Sequence, residues 1–230
     1  MIQQTPEADL FKIQLRDSLR HEARSFRALR IAKHENVYTC GDQAEAVYFI
    51  ESGQVKLLLL SPNGKECLLA IHTAGDLFGE SCLSGMGPRM ETATAMEETR
   101  LKLIPRSRFF ARLSSDSLLE GFVQYLTVRV ADQQQVIANL VTVDSEQRLG
   151  KTLLQLARTL GRKDPRSIRI ENRISHEELS EMIGTTRPRV SMFMQRFREL
   201  GLIETSEDRF LIVKEQRLAD YLDRGCMVVD

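Results

Sequence analysis

The chain has 230 residues, and 32 Lys and Arg balance 32 Asp and Glu, so its formal net charge is zero. This length is enough for two domains, but the balanced charge excludes a global basic field that would attract nucleic acid. No apolar run approaches the length of a membrane span, and the first twelve residues lack the layout of a signal peptide. We therefore expect a cytoplasmic protein without a membrane partner. The cysteines Cys40, Cys67, Cys82 and Cys226 form no CxxC pair, which is typical of thiols in a reducing cytosol.

The region from about Phe26 to Ile104 is predicted to be rich in short strands. Apolar runs such as VYFI, VKLLLL and CLLAI are separated by turns, and Asn63-Gly64 between two of them is the strongest hairpin signal. Glycines recur at roughly the spacing of strand pairs in an all-β sandwich or roll. These glycines are Gly41, Gly53, Gly64, Gly75 and Gly79.

Residues from about Ser117 to Val143 are predicted to form one long helix. Its seam positions follow alternating spacings of three and four, which is typical of a coiled coil. They are Leu119, Phe122, Leu126, Val130, Gln133, Ile137 and Leu140. The natural partner is the same helix of a second subunit, and packing on its own domain is the alternative. A polar Gln133 in the seam indicates control of register or contact with a ligand.

A second capped helix follows the long one. Asp144 and Gln147 predict a capping box, so a new helix begins there and runs to about Leu160. Asp144 thus marks a break in the chain, and Gly161 to Asn172 is predicted to be a polar connector.

The segment from Ile174 to Glu204 has the pattern of two helices joined by a tight turn. Ser175 and Glu178 predict a capping box, Gly184 supplies the turn, and Pro188 lies in the first turn of the second helix, where its missing N–H costs little. The first helix has an apolar face at Leu179, Met182 and Ile183. The second has an apolar stripe at Val190, Phe193, Met194, Phe197 and Leu200, with Thr186 as its expected cap.

The second helix of this segment is strongly basic. Between Thr185 and Arg198 there is no acid, and four arginines are present: Arg187, Arg189, Arg196 and Arg198. A helix-turn-helix places its second helix in a DNA major groove, so we predict DNA binding. The alternative is an ordinary helical hairpin with a solvated basic face. Beyond it, Ser206–Asp208 between two strand-like runs predicts a β-hairpin wing, and Lys214 to Arg224 predicts a short helix.

The predicted order of β-roll, long helix and winged helix-turn-helix resembles the CRP/FNR family of bacterial transcription regulators over about residues 26–213. Its anchors are Gly53 in ESGQVKL, the GDLFGE segment from Gly75, Asp144 and the helix-turn-helix. The resemblance implies an α+β fold. Its parts are an effector-sensing, jelly-roll-like β-roll of the cyclic-nucleotide-binding type (1–116), a dimerisation helix (117–143) and a winged helix-turn-helix domain (144–230). It also implies a homodimer on a palindromic operator of double-stranded DNA, with RNA polymerase as a partner.

The effector site is expected at the family's cyclic-nucleotide cassette. The resemblance implies that backbone N–H groups hold the cyclic phosphate, an arginine pairs with it and a glutamate accepts from the ribose hydroxyl. Phe78, Gly79, Glu80, Leu83 and Arg89 match the cassette, whereas Met90 and Glu91 replace a hydroxyl residue and an alanine. The expected effector-binding residues are Gly79, Glu80, Ser81, Cys82, Arg89, Met90, Gln133 and Gln134.

The identity of the effector stays open at this point. A cyclic nucleotide is one candidate, and the alternative is a structural cassette in which Arg89 forms a salt bridge with Glu80 or Glu91. An iron–sulfur cluster is not expected, because no group of cysteines precedes Cys40. Haem is not expected either, because His72 has no visible partner ligand.

The expected base contacts differ from those of the best-known family members. The family contacts bases from positions that correspond to Arg187, Pro188 and Met192, of which only Arg187 can contact guanine with paired donors. Arg189 and Ser191 are the expected substitutes, so a different operator is predicted. The expected DNA-binding residues are Ser175, Thr186, Arg187, Pro188, Arg189, Ser191, Met192 and Arg196.

The sequence therefore predicts a homodimeric, sequence-specific DNA-binding regulator controlled by an effector in the β-roll. The alternative is a cyclic-nucleotide-binding regulatory subunit that acts on a protein partner. No enzyme is predicted, because GxSxG, HExxH and Walker motifs are missing from the chain.

Overall fold

The computed structural model describes residues 6–21, 26–61, 66–85, 87–115, 118–170 and 174–225. The chain divides into two compact units, Met1–Gln135 and Val136–Asp230. Over the described ranges, no helix is both long and apolar enough to span a bilayer.

The first unit contains two four-stranded antiparallel sheets, as the β-roll prediction required. Their strands are β1 Arg27–Ile31, β2 Asn36–Tyr38, β3 Ala46–Ser52, β4 Gln54–Leu60, β5 Glu66–Thr73, β6 Leu77–Phe78, β7 Thr92–Ala95 and β8 Thr99–Pro105. One sheet has the order β1-β8-β3-β6 and the other β2-β7-β4-β5. The predicted Asn63-Gly64 turn lies outside the described residues, but β4 and β5 on either side of it pair with Leu60 opposite Glu66.

The central strand β3 is buried on both faces, which places a core on each side of it. Its five residues Ala46 to Ile50 are all buried. Since successive side chains alternate between faces, Tyr48 and Ile50 join the core between the two sheets. Val47 and Phe49 instead join a second core with the helices of this unit.

Three helices contribute to that second core. They are α1 Pro6–His21, α2 Arg106–Ser115 and α3 Leu119–Thr142. Neither α1 nor α2 was predicted from the sequence. Phe11, Leu15 and Leu19 of α1 lie in this core at 0–1 % exposure, because a spacing of four residues puts them on one helix face. In addition, the buried Lys102 of β8 donates to the carbonyl of Leu19.

The long helix α3 is present as predicted, but its expected seam needs one correction. Phe122 is buried at 5 % exposure, and its ring contacts Phe11 and Phe109. It therefore belongs to the chain's own core, because that face of α3 packs on α1 and α2. Val123 is 53 % exposed and continues the outward-facing stripe in its place.

The second unit combines helices with a four-stranded sheet. Its elements are α4 Ser145–Leu160, β9 Gly161–Asp164, β10 Ser167–Ile170, α5 His176–Ile183, α6 Arg187–Glu199, β11 Ile203–Thr205, β12 Leu211–Val213 and α7 Glu215–Gly225. The sheet order is β11-β12-β10-β9. The β11–β12 hairpin confirms the predicted wing. The expectation of a polar connector after Leu160 was wrong, because Ile168 and Ile170 are buried and make β10 a strand of this sheet.

The helix starts follow the predicted caps in two of three cases. Asp144 accepts from the backbone N–H groups of Glu146 and Gln147 and begins α4. Ser175 and Glu178 form the reciprocal capping box of α5. Thr186 occupies the cap position of α6 but makes no side-chain cap bond. A correction also applies to the α6 stripe: Leu200 ends the helix and is 49 % exposed, whereas the four apolar residues before it are buried.

Candidate functional site

Helix α6 exposes most of the side chains that were predicted to contact DNA. Gly184 closes α5 with a positive φ of 64°, and the chain then turns directly into α6. The buried stripe of α6 packs on its own unit, so the opposite side stays free for a partner. The exposed residues on this side are Arg187, Pro188, Arg189 and Met192. The Arg189 guanidinium lies 5.8 Å from the ring centre of Phe193. Two cations and no acid therefore occupy the first turn.

A histidine that the sequence analysis did not select joins the two helices of the motif. His176 is the first residue of α5, and its Nδ1 lies 2.8 Å from Oγ of Ser191 in α6. Burial lowers the pKa of His176, and the positive charges of Arg198 and Arg187 lower it further. Ser191 was expected to contact DNA, and its hydroxyl is held here by His176. A signal was available, since His176 directly follows the Ser175 cap.

Two other predicted DNA-binding residues also have partners within the unit. Arg196 lies 3.0 Å from a carboxylate oxygen of Glu146, whose other oxygen accepts from the Tyr221 hydroxyl at 2.6 Å. Ser175 is engaged in the capping box. Arg196 lies more than two turns beyond Arg187, and this ion pair neutralises part of its charge.

In the β-roll, Arg89 is held by backbone carbonyls. It is 2 % exposed; one terminal nitrogen donates to the Gly79 carbonyl at 2.6 Å, and the other donates to the Ala46 carbonyl. Its guanidinium also lies 4.3 Å from the ring centre of Tyr38. Gly79 has a φ of 78°, and a Cβ there would come within 2.9 Å of Arg89. Gly79 therefore permits both the turn and the close approach of the arginine.

The two nearby glutamates pair with other residues. Glu80 forms an ion pair of 2.8 Å with Arg129 of α3, and Glu91 accepts from the Tyr38 hydroxyl at 2.8 Å. The alternative in which Arg89 forms a salt bridge with Glu80 or Glu91 is therefore wrong, because main-chain oxygens take both of its terminal nitrogens. Arg129 was not predicted from the sequence, although a cation next to the seam position Val130 was a visible signal.

The structure brings only part of the predicted effector set together. Gly79, Glu80 and Arg89 converge, and the Ser81 hydroxyl lies 3.3 Å from Arg89. Cys82 instead points into the helical core, where burial raises the pKa of its thiol. The remaining predicted residues face solvent: Met90 at 71 % exposure, Gln133 and Gln134.

The cassette leaves two buried polar atoms without a hydrogen-bond partner, one on each side expected for a cyclic nucleotide. The second carboxylate oxygen of Glu80 is buried without a hydrogen-bond partner, which suits a sugar hydroxyl as donor. On the phosphate side, both terminal nitrogens of Arg89 donate to carbonyls, but its Nε is buried without a hydrogen-bond partner and is a free donor for an anion. The carboxylate of Glu91, which accepts from the Tyr38 hydroxyl beside Arg89, opposes a negative charge there.

A buried titratable cluster lies next to the cassette. Asp76, just before β6, forms an ion pair of 2.6 Å with Lys12 of α1, and its other oxygen lies 4.0 Å from Nδ1 of His72. Nε2 of His72 is buried without a hydrogen-bond partner. Burial, together with the positive charge of Arg129, lowers the pKa of His72 to about 4.

The comparisons with known proteins agree with this arrangement. Residues 28–116 match the family model of the cyclic nucleotide-binding domain, and residues 147–221 match that of the Crp-like helix-turn-helix domain. The transcriptional regulator LdrP of Thermus thermophilus is 31% identical over 186 residues, which cover 80% of this chain and 91% of that protein. A CRP-like cAMP-activated global transcriptional regulator of Mycobacterium tuberculosis is 29% identical over 184 residues, or 80% of this chain and 82% of the relative.

A solved structure shows the same fold. A CRP-family transcriptional regulator from Thermus thermophilus superimposes with a TM-score of 0.70 at 29% sequence identity, covering 85% of this chain and 96% of that one. The two matched domain models follow one another along this chain as the β-roll and the helix-turn-helix do, and the relatives share most of the chain's length. The chain therefore belongs to the CRP/FNR family of DNA-binding transcription regulators.

Proposed function

We propose that this chain is a homodimeric, sequence-specific regulator of transcription, whose affinity for DNA is set by an effector bound in the β-roll. The observation that carries the proposal is the exposed first turn of α6, where Arg187 and Arg189 stand without an acidic neighbour. Arginine at the start of a recognition helix can contact guanine through two parallel hydrogen bonds. A palindromic operator is expected because a two-fold dimer presents two such helices. RNA polymerase as a further partner rests on the family alone.

The dimer is supported by the stripe that α3 leaves exposed. With Val123 in place of Phe122, successive residues of this stripe are four, three, four, three, four and three positions apart, as in a heptad repeat. The stripe comprises Leu119, Val123, Leu126, Val130, Gln133, Ile137 and Leu140, of which Leu126 is partly buried against the chain's own core. Five of these residues are apolar and 44–61 % exposed, which is costly in water unless a partner covers them.

We propose that effector control acts at Glu80, where the cassette contacts α3. One carboxylate oxygen of Glu80 pairs with Arg129. The other oxygen is buried and unpaired, so it can accept a hydrogen bond from a ligand. A ligand that donates a hydrogen bond to Glu80 changes how firmly Arg129 is held. If α3 has two packing states that differ in how Arg129 is held, such a ligand binds one state more tightly and shifts the population towards it. Because Glu80 offers an acceptor and Arg89 an unpaired Nε donor, the effector is expected to carry a hydroxyl group, and a cyclic nucleotide is one candidate.

An electrophoretic shift with genomic fragments tests the proposal. The wild-type chain is expected to retard a subset of fragments, and Arg187→Ala is expected to weaken the specific complexes about 5- to 100-fold. Arg217→Ala, which removes an exposed arginine of α7, is the matched control. An equal loss on all fragments would assign Arg187 to phosphate contact. Retardation of no fragment would overturn the proposal.

Additions to the same experiment test the effector. The Mycobacterium tuberculosis relative is named as cAMP-activated, so cyclic AMP and cyclic GMP are added in separate lanes beside a metabolite extract. We expect at least one of these additions to change the affinity. A change with either nucleotide identifies it as an effector, and a change with the extract alone assigns the role to another metabolite.

A further inference from the structure

One arginine closes the ends of two helices in the second unit. Arg148, in the first turns of α4, donates from Nε to the carbonyl of Ile183 at 2.9 Å. Its Nη1 donates to the carbonyl of Leu140 at 3.3 Å and to that of Val143. Ile183 is the last residue of α5, and Leu140 and Val143 lie at the end of α3.

This arrangement satisfies a requirement that every helix end has. The last four carbonyls of a helix have no partner within the helix, and the negative end of the helix dipole favours a cation. Arg148 meets this need for α3 and α5 at once. Because a guanidinium is planar and rigid, bonds from two of its nitrogens fix the two ends relative to one another.

Two further contacts lie at the same junction. Lys151 of α4 donates to the Asn139 side chain of α3 at 3.2 Å. A Cβ on Gly184 would lie 3.3 Å from a methyl group of Leu140. Gly184 is the turn of the helix-turn-helix, so the end of α3 packs directly against that turn. Leu140 is also 44 % exposed and belongs to the stripe assigned to the dimer contact.

We propose that Arg148 is a positioning residue that couples the packing of α3 to the placement of the recognition helices on DNA. The inference rests on the proposed function, since it needs a dimer that binds paired half-sites. The role of Arg148 is separate from base recognition, because the exposed first turn of α6 carries that. Its loss therefore changes the distance between half-sites and leaves the preferred bases within each half-site unchanged.

Selection from a DNA library with randomised half-sites and randomised spacers separates these two properties. The wild-type chain is expected to select one spacing, about one helical turn between half-site centres. Arg148→Met keeps an unbranched apolar stem but removes the hydrogen-bond donors. It is expected to select at least two spacings with the same half-site bases, and to bind the wild-type spacing about tenfold more weakly. Arg158→Ala is the matched control, because Arg158 also lies on α4 but pairs with Glu215 of α7.

Three outcomes decide the matter. A single wild-type spacing for Arg148→Met overturns the inference, even if thermal unfolding shifts, because a merely structural role lowers stability alone. If Arg148→Met does not fold, Arg148→Lys decides by the same criterion, since it keeps the charge and loses the planar fork. A wild-type chain that selects no paired half-sites overturns the proposed function as well, which distinguishes that failure from a failure of the coupling.

Discussion

His72 shows how one buried side chain makes the stability of the β-roll depend on pH. Its ring stacks on Phe78 with centres 6.1 Å apart, and Asp76 is the acid that lies beside it within the described residues. Burial and the neighbouring positive charges of Arg129 and Lys12 disfavour its protonated form, and Asp76 offsets them only in part. The folded state therefore favours the neutral form of His72.

This environment predicts that the protein loses stability as the pH falls from about 6.5 towards 4. The unfolded chain protonates His72 near its ordinary pKa of 6.5, whereas the folded chain does so only at about 4. Between these values the unfolded state binds more protons, so the free energy of unfolding falls by about 1.4 kcal/mol per pH unit from this group. Asp76 acts in the same direction but at lower pH, because its pKa is depressed below 3.8. Burial raises the pKa of Asp76, but the positive charges of Lys12 and His72 lower it by more.

Urea unfolding between about pH 4.8 and 7 measures this slope. Most of this range lies between the folded and unfolded pKa values of His72, and its upper end lies just above the unfolded value. His72→Asn is expected to flatten the slope, whatever the variant does to stability at neutral pH. His34→Asn is the matched control, because His34 is exposed in a turn with a φ of 69° that asparagine tolerates. An unchanged slope in His72→Asn would contradict the assignment.

At the residue scale, the sequence predicted which residues belong to the cassette better than it predicted their hydrogen-bond partners. Glu80 and Arg89 were found from the FGE motif and its downstream arginine. The partners of Arg89 were not predicted, because every residue carries a main-chain oxygen and its side-chain identity does not show which one an arginine binds. The Ala46 carbonyl that Arg89 binds lies 43 positions away, and only the folded sheets bring it close.

At the scale of elements, α1 is the largest addition to the predicted fold. Its three core residues recur every fourth position, so a helical face was present in the sequence. Helical periodicity alone does not reveal the surface that a helix covers, and that surface comes from Val47 and Phe49 on β3. The β9–β10 hairpin was missed for a different reason: only Ile168 and Ile170 alternate within a short, highly charged run.

The packing of α1 predicts that it stabilises the β-roll. Leu15 has 0 % exposure, so Leu15→Ala is expected to lower the free energy of unfolding by about 2–5 kcal/mol through lost contacts and a cavity. Ile13 on the same helix is 46 % exposed, and Ile13→Ala is expected to change it by less than about 0.5 kcal/mol. Chemical denaturation at neutral pH gives both values. Equal losses for the two variants would mean that α1 does not pack as described.

At the scale of the whole molecule, the balance of charge conceals a local asymmetry. The net charge is zero, yet the first turn of α6 carries two exposed arginines and no acid. Long-range attraction to DNA is therefore weak, and affinity has to come from a few close contacts. Two copies of those contacts in one dimer are the simplest way to reach a useful affinity, because linked contacts reinforce one another.

The proposed dimer is tested most directly on α3, at Ile137, which is 61 % exposed in the stripe. In a parallel, two-fold helix pair a seam residue faces its own copy, so Ile137→Glu would place two like charges in an apolar contact. We expect sedimentation equilibrium to give twice the 26.3 kDa chain mass for the wild type and a single chain mass for the variant. The variant is also expected to lose tight binding to paired half-sites while it keeps weak binding to one.

Gln135→Glu adds the same charge on the opposite side of α3 and is expected to stay dimeric. A dimeric Ile137→Glu would place the subunit contact elsewhere and would remove the stripe's role in setting the distance between the recognition helices.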